Sequence, residues 1–265
     1  IDGNGKRLGD VMELDTTQIG FAANNKIYTI LTSEDKSKIG VFKVNSRNRR
    51  VYTMTTILLN DKLELQKKSR LTIPMDERND YLSDFQLDND GDLIFSKFIR
   101  NSNDNINKAS FVVKHAQADT LMMQDLQIEK TWLDEVHIKV DNYNKRYFLT
   151  SFYYKENRGS IEGLYFYIWD KNGKKSLIEK TYVFSDDLKR EARGEAGNKT
   201  DFNDDFIRNN ITKKDGGFII GSESYYTTSR FNNWNRWDYL YGSPYFSPAF
   251  NNYYYSPYYS RNFWN

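Results

Sequence analysis

Asp88, Asp90 and Asp92 alternate around Gly91, the densest run of potential ligands in this sequence. Carboxylate oxygens on a tight turn suit a hard cation, so calcium is the metal these residues could take. The bidentate Glu that closes a helix–loop–helix calcium site is missing from its place. Asp-Gly is also favoured in hairpins on conformational grounds alone, because glycine accepts positive φ. A plain turn is therefore the leading reading and calcium the alternative; no other cofactor is expected.

His115 and His137 each stand alone in a strand-like context, and there is no cysteine. That removes thiol nucleophiles, disulfides and cysteine metal sites, and leaves zinc without a close ligand pair. No Gly-x-Ser-x-Gly elbow and no phosphate loop is present. A glycosidase needs only two acids about 5–10 Å apart across a cleft. Asp84, Glu162, Asp204, Asp205 and Glu223 are the acids that could pair in this way, but acids are common at turns and strand ends. The expectation is a chain without catalytic residues.

The third chemical signal is aromatic. Residues 231–265 are crowded with Tyr, Trp, Phe and Asn, hold three of the four prolines, and have only Leu240 and Ala249 as aliphatic residues. Prolines exclude a regular central strand, and the lack of Leu, Ile and Val argues against an ordinary core. Three readings stand: a loosely packed loop, a docking segment for a protein, or a stacking surface for sugar rings. Tyr, Trp and Arg make the strongest protein-interface anchors. The candidate contact residues are Trp234, Trp237, Tyr239, Tyr241, Tyr245, Tyr254 and Tyr258. Nucleic acid fits poorly, since only Arg230, Arg236 and Arg261 supply charge along the segment.

The elements that must position these residues follow a repeated phrase. Asp80-Tyr81-Leu82 leads to Asp90-Gly91 and Leu93-Ile94-Phe95, and Asp205-Phe206-Ile207 leads at the same spacing to Asp215-Gly216 and Phe218-Ile219-Ile220. A recurring strand–turn–strand unit is the mark of a repeat architecture. Asn24-Asn25 and Asp141 to Lys145 read as the corresponding turns of two further units. Val136, Ile138 and Val140 alternate with polar residues as a half-buried strand does. Gly163 to Trp169, the turn Asp170-Lys171-Asn172-Gly173 and Ser176 to Phe184 make a hairpin. Each unit holds two hairpins, and the turns recur on the order of 50–70 residues apart, slightly longer than typical propeller blades. One blade cannot bury both of its faces, so neighbours must stack on it.

The sequence thus predicts an all-β fold: a β-propeller-like repeat of about four four-stranded blades in antiparallel hairpins, the last incomplete. Residues 1–17 are a lead-in, 18–230 the repeat domain and 231–265 an insertion or docking segment. One helical excursion is expected near 186–196, capped by Ser185 with Asp186 and Asp187 at its positive end. The basic stretch Arg47 to Arg50, with Lys67, Lys68 and Arg70, reads as solvated turn and edge-strand charge. Hydrophobic residues make up 38% of the chain but aromatics 16%, so much of the burial must come from Tyr and Phe. Such rings favour strands. The formal charge of +2 is evenly mixed and gives no broad attraction to nucleic acid or acidic membranes. No apolar run is long enough to span a bilayer. A start at Ile1 fits a processed or excised chain, and the break at 231–265 fits an insertion within a larger protein.

Asp215-Gly216-Gly217-Phe218-Ile219-Ile220-Gly221-Ser222-Glu223-Ser224 resembles the repeat signature of secreted, β-propeller-like proteins of the Gram-negative cell envelope. Asp170-Lys171-Asn172-Gly173 resembles the hairpin turn of the next strand pair in such repeats. Asp90-Gly91-Asp92 departs from the signature at its second glycine, and 141–145 has no glycine. The resemblance implies an extracytoplasmic scaffold, whether periplasmic, at the outer-membrane surface or secreted. Its partner would be a protein of the outer membrane or secretion apparatus, contacted through 231–265. The alternatives are a glycan-binding module and, behind it, a glycoside hydrolase.

Overall fold

The structure is a computed structural model that describes residues 3–6, 9–17, 28–48, 51–75, 80–100, 105–128, 130–156, 159–193 and 205–224. Within them the chain is all-β and antiparallel, apart from one short helix. The first unit is a four-stranded meander of β1 (Thr29–Thr32), β2 (Lys38–Asn48), β3 (Val51–Asn60) and β4 (Leu65–Pro74). The second is β5 (Asp80–Leu87), β6 (Leu93–Arg100), β7 (Ile106–Lys114) and β8 (Met122–Asp125). A short strand, β9 (Trp132–Leu133), follows. The third unit is β10 (His137–Asp141), β11 (Arg146–Tyr154), β12 (Gly163–Asp170) and β13 (Lys175–Val183). Leu133 of β9 pairs with both Ile106 and Tyr153, which joins the second and third units into one nine-stranded sheet. After the helix α1 (Asp186–Arg193), β14 (Asp205–Thr212) and β15 (Phe218–Ser224) form a fourth hairpin.

The repeated phrase builds a repeated turn. Gly91 donates its N–H to Asp88 O at 3.1 Å, and Gly216 donates to Lys213 O at 3.0 Å. Both glycines have positive φ, +91° and +84°, the conformation that glycine adopts without a Cβ penalty. Among the described residues the first unit's corresponding turn is the β1–β2 link, where Lys36 N–H bonds Ser33 O. Asn24-Asn25 lies outside the described residues. The helix begins as expected: Ser185 Oγ accepts the Leu188 N–H at 3.2 Å.

Neighbouring units share cores, as period-two side-chain alternation requires when a sheet is covered on both faces. Every residue of β6 is buried. Leu93 and Phe95 face the first unit and pack with Phe42, Met54, Ile73 and Phe85. Ile94 and Phe98 face the third unit and pack with Phe111, Tyr147, Tyr165 and Tyr167. A third core holds Phe152, Tyr154, Ile161 and Ile207 between the third and fourth units. Phe and Tyr rings are buried alongside Leu, Ile and Val in these cores, so aromatics share the burial as the composition implies. The first strands of the units touch in order: β1 with β5, β5 with β10, and β10 with β14. The fourth unit has two strands among the described residues, and no closed ring is present there.

Candidate functional site

The three aspartates around Gly91 do converge, and what they surround is an ammonium. Asp88 Oδ1 is taken by the backbone N–H groups of Asp90 and Asp92, at 2.9 and 2.8 Å, an interaction that shapes the turn. Asp88 Oδ2 receives the Tyr147 hydroxyl at 2.7 Å and also the Lys171 ammonium. Lys171 lies 2.7 Å from Asp90 Oδ2 and 3.4 Å from Asp92 Oδ2. Lys145 adds a second ammonium to Asp90 at 3.0 Å. Asp92 meets His115 Nδ1 at 2.9 Å and the Ala116 N–H at 2.8 Å.

The electrostatics match this geometry. Lys171 and then Lys145 hold the Asp90 carboxyl below the usual carboxylate range. Burial works against ionised Asp92, but His115, the Ala116 amide and Lys171 outweigh it and its pKa is lowered. Burial also opposes the charge on Lys171; Asp88 and Asp90 prevail and raise its pKa. The oxygens that the sequence offers to calcium are therefore directed at protein cations. No set of three or more His, Cys, Asp or Glu side chains among the described residues could hold a metal ion.

The partners of this cluster come from different units. Asp88, Asp90, Asp92 and His115 belong to the second, while Lys145, Tyr147 and Lys171 belong to the third. The same end of the molecule carries a turn-to-turn relay. Asp35 N–H bonds Asn89 Oδ1 at 3.2 Å, Asn89 N–H bonds Asn142 Oδ1 at 2.9 Å, and Asn144 Nδ2 bonds Lys213 O at 3.0 Å. Each turn grips the next one along the chain.

A second charged cluster lies inside the molecule. Asp84 occupies a bulge in β5, where the register slips between Ser83 and Gln86, and has a φ of +55°. Its carboxylate accepts the Ile138 N–H of β10. Glu135, just ahead of β10, lies 3.0 Å from His137 Nε2 and accepts the Ile207 N–H of β14 at 3.2 Å. Three units thus meet at two buried carboxylates and a histidine. Sequence reasoning singled out Asp84 and His137 separately and passed over Glu135, Lys145, Tyr147 and Lys171. The position of Lys171 in a hairpin turn was legible, but nothing local marks a pairing so distant along the chain.

The other sequence candidates are dispersed. Glu162 pairs with Lys155 and Lys189 at 3.2 and 3.1 Å. Glu223 pairs with Arg208, and Asp205 is buried at the start of β14. Asp204 lies outside the described residues, as do Trp234, Trp237, Tyr239, Tyr241, Tyr245, Tyr254 and Tyr258. A polar groove of about 1330 Å³ runs over one face of the first sheet, lined by Asn45, Thr53, Thr55, Arg70 and Thr72 among others. At one edge of it Asp15 is held by Lys43, by Lys68 at 3.0 Å and by the Tyr28 hydroxyl at 2.9 Å. Lys43 is the largest influence keeping the Asp15 carboxyl far below its usual range.

No protein-family model matches the chain, and no curated protein matches it. Among solved structures, similarity is found to the cobalt-substituted apocarotenoid oxygenase (ACO) of Synechocystis, at 12% identity and a TM-score of 0.37. An ACO/RPE65 chimera matches at 12% identity and a TM-score of 0.34. Both matches cover 58% of this chain and 38% of the other, so the match spans well under half the length of those proteins. These structures are of an apocarotenoid oxygenase and a chimera of it, and against them the expectation that the chain is not an enzyme is withdrawn. A likeness of this size assigns neither a reaction nor a substrate.

Proposed function

We propose that the chain is a β-propeller-like binding scaffold, with three four-stranded blades and a fourth opened by β14 and β15, that works at the cell envelope. The observation that carries this reading is where its polar and charged groups go. The Asp88–Asp90–Asp92 turn, the Asn89–Asn142 contact and the Asp84–Glu135 pair all fasten one unit to the next, as a rigid repeat frame needs. Contact between first strands in chain order also supports the blade arrangement. The resemblance of Asp215 to Ser224 to an envelope repeat signature supports an exported location. The partner is a protein, and residues 231–265, rich in interface-type side chains, are the contact element.

The test compares the full chain with a chain ended at Arg230 for retention of outer-membrane proteins, with circular dichroism to follow the fold. Loss of one retained protein with the fold intact supports the reading. Equal retention by both chains overturns the assignment of the contact element. The groove over the first sheet favours a second reading, a hydroxyl-rich ligand such as a glycan. Polysaccharide retention that falls in Arg70→Ala and survives truncation at Arg230 would select it.

A further inference from the structure

We infer that Asp84, His137 and Glu135 form a pH-gated joint, in which protonated His137 holds the second, third and fourth units together and its deprotonation loosens them. The geometry carries the argument. Asp84 comes from β5 in the second unit and reaches the backbone of β10 through Ile138. Glu135 precedes β10 in the third unit and reaches β14 of the fourth through the Ile207 N–H, 3.2 Å away. His137 Nε2 lies 3.0 Å from Glu135 Oε1, and His137 and Asp84 are near enough to act on each other electrostatically. Both carboxylates are buried, Asp84 at 6% and Glu135 at 1% exposure, and Glu135 Oε2 has no hydrogen-bond partner among the described residues. Two buried carboxylates so placed need a positive charge, and the imidazolium is the charge at hand. The His137 side chain keeps 21% exposure, so protons can reach it.

Lys139 shares a face of β10 with His137, and the other charged neighbours are engaged. The segment ahead of β10 adds Asp134, a third acid, whose Oδ1 receives the Tyr154 hydroxyl at 3.2 Å. From β6, Lys97 pairs with Asp80 at 3.2 Å and Arg100 lies over the Tyr81 ring. From β14, Arg208 pairs with Glu223, and Asp205 is a further buried acid. On β11 the residue opposite His137 is Thr150, which is uncharged. Burial disfavours the imidazolium, but Glu135, Asp84 and Asp134 outweigh it and raise the His137 pKa above its ordinary value. Burial pushes the Asp84 carboxyl up as well, against the pull of His137 and the Ile138 amide. A histidine raised in the folded state contributes stability that is complete below about pH 6.5 and is lost as pH rises through the folded value.

The chain has two histidines, so His115→Gln leaves His137 as the only imidazole signal in an NMR titration. The expected result is a His137 pKa above about 6.5. Hydrogen exchange then reads the joint itself. Corrected for intrinsic rates, protection of the Ile138 and Ile207 amides should fall between about pH 6 and about pH 8.5, while the Met54 amide in the first unit holds. In His137→Gln this selective loss should vanish. A His137 pKa at or below about 6.5 overturns the inference, and so does the same selective loss in His137→Gln. If that variant does not fold, the titration and the wild-type exchange profile decide.

Discussion

The side-chain carbonyl of Asn142 accepts the backbone N–H of Asn89 at 2.9 Å, while its amide donates to Glu34 Oε2 at 2.8 Å. One asparagine in the third unit thereby holds the turns of the second and the first. Together with Lys171 among the aspartates of the neighbouring turn, it makes this end of the molecule a band of polar links. The apolar cores beneath are non-directional and would tolerate some sliding between sheets. Directional bonds at the turns fix each unit's angle to the next.

Removing that link should weaken the whole array and not only its own turn. Asn142→Ala is expected to cost about 1–2 kcal/mol, one modest contribution per lost hydrogen bond. Asn89→Ala should behave differently, because Asn89 donates to Asn142 through its backbone and keeps that bond. It loses only the contact with the Asp35 N–H. Urea unfolding of both variants measures the difference, and equal midpoints would show that the Asn142 side chain does not link the units.

Lys171→Met should be the costlier change. It strips the shared cation from Asp88, Asp90 and Asp92 and leaves carboxylates that are largely buried at Asp88 and Asp92. Breaking such a pair from one side costs about 3–5 kcal/mol; Lys145 still compensates Asp90, so a loss near the lower end is expected. Calcium should leave the melting temperature of the wild-type chain unchanged, because Lys171 already occupies the carboxylate oxygens. A thermal shift on adding calcium, abolished by Asp90→Asn, would restore the calcium reading.

The repeat itself was legible because turn chemistry and side-chain alternation are local. Asp-Gly at 90–91 and 215–216 fixes φ, and Val136, Ile138 and Val140 fix a face, whatever lies beyond them. In the first unit Ser33 to Ser37 turns the chain without the local turn signature that Asn24-Asn25 carries. In the structure an Asx-type bond from Ser37 N–H to Asp35 Oδ1 at 3.0 Å does the work without a glycine. The charged clusters were legible only by halves. His137 stands two residues from Glu135, yet its meaning depends on Asp84, and burial and pairing across sheets leave no periodic trace.

Gly91 and Gly216 occupy equivalent turns, so replacing each by alanine separates strain from packing. Both substitutions place a Cβ at positive φ, which costs about 1–2 kcal/mol. At Gly91 the new atom would also lie 2.7 Å from Leu58 Cδ2 in a shared core, and overpacking adds about 1–3 kcal/mol. At Gly216 the near neighbour is Arg146 Nη1, the far end of a flexible side chain. Gly91→Ala should therefore lose roughly twice the stability of Gly216→Ala by chemical denaturation. The reverse order would contradict the packing of the β5–β6 turn against the first unit.

Acid should attack the band of turns before the cores. Asp90 and Asp92 have lowered pKa values, caused chiefly by Lys171 for Asp90 and, against burial, by His115 and the Ala116 amide for Asp92. Carboxyls depressed in the folded state contribute stability that is fully present above their unfolded value, about 3.9, and is lost as pH falls through the folded values. The joint at His137 runs the other way and tightens on acidification. The midpoint of unfolding should therefore peak at mildly acidic pH and fall below about pH 4. In Asp92→Asn the acid limb should flatten and the alkaline limb should stay, because only the turn has lost a titrating group. In His137→Gln the alkaline limb should flatten and the acid limb stay. A single variant that flattened both limbs would mean that the two clusters titrate as one system across the second and third units.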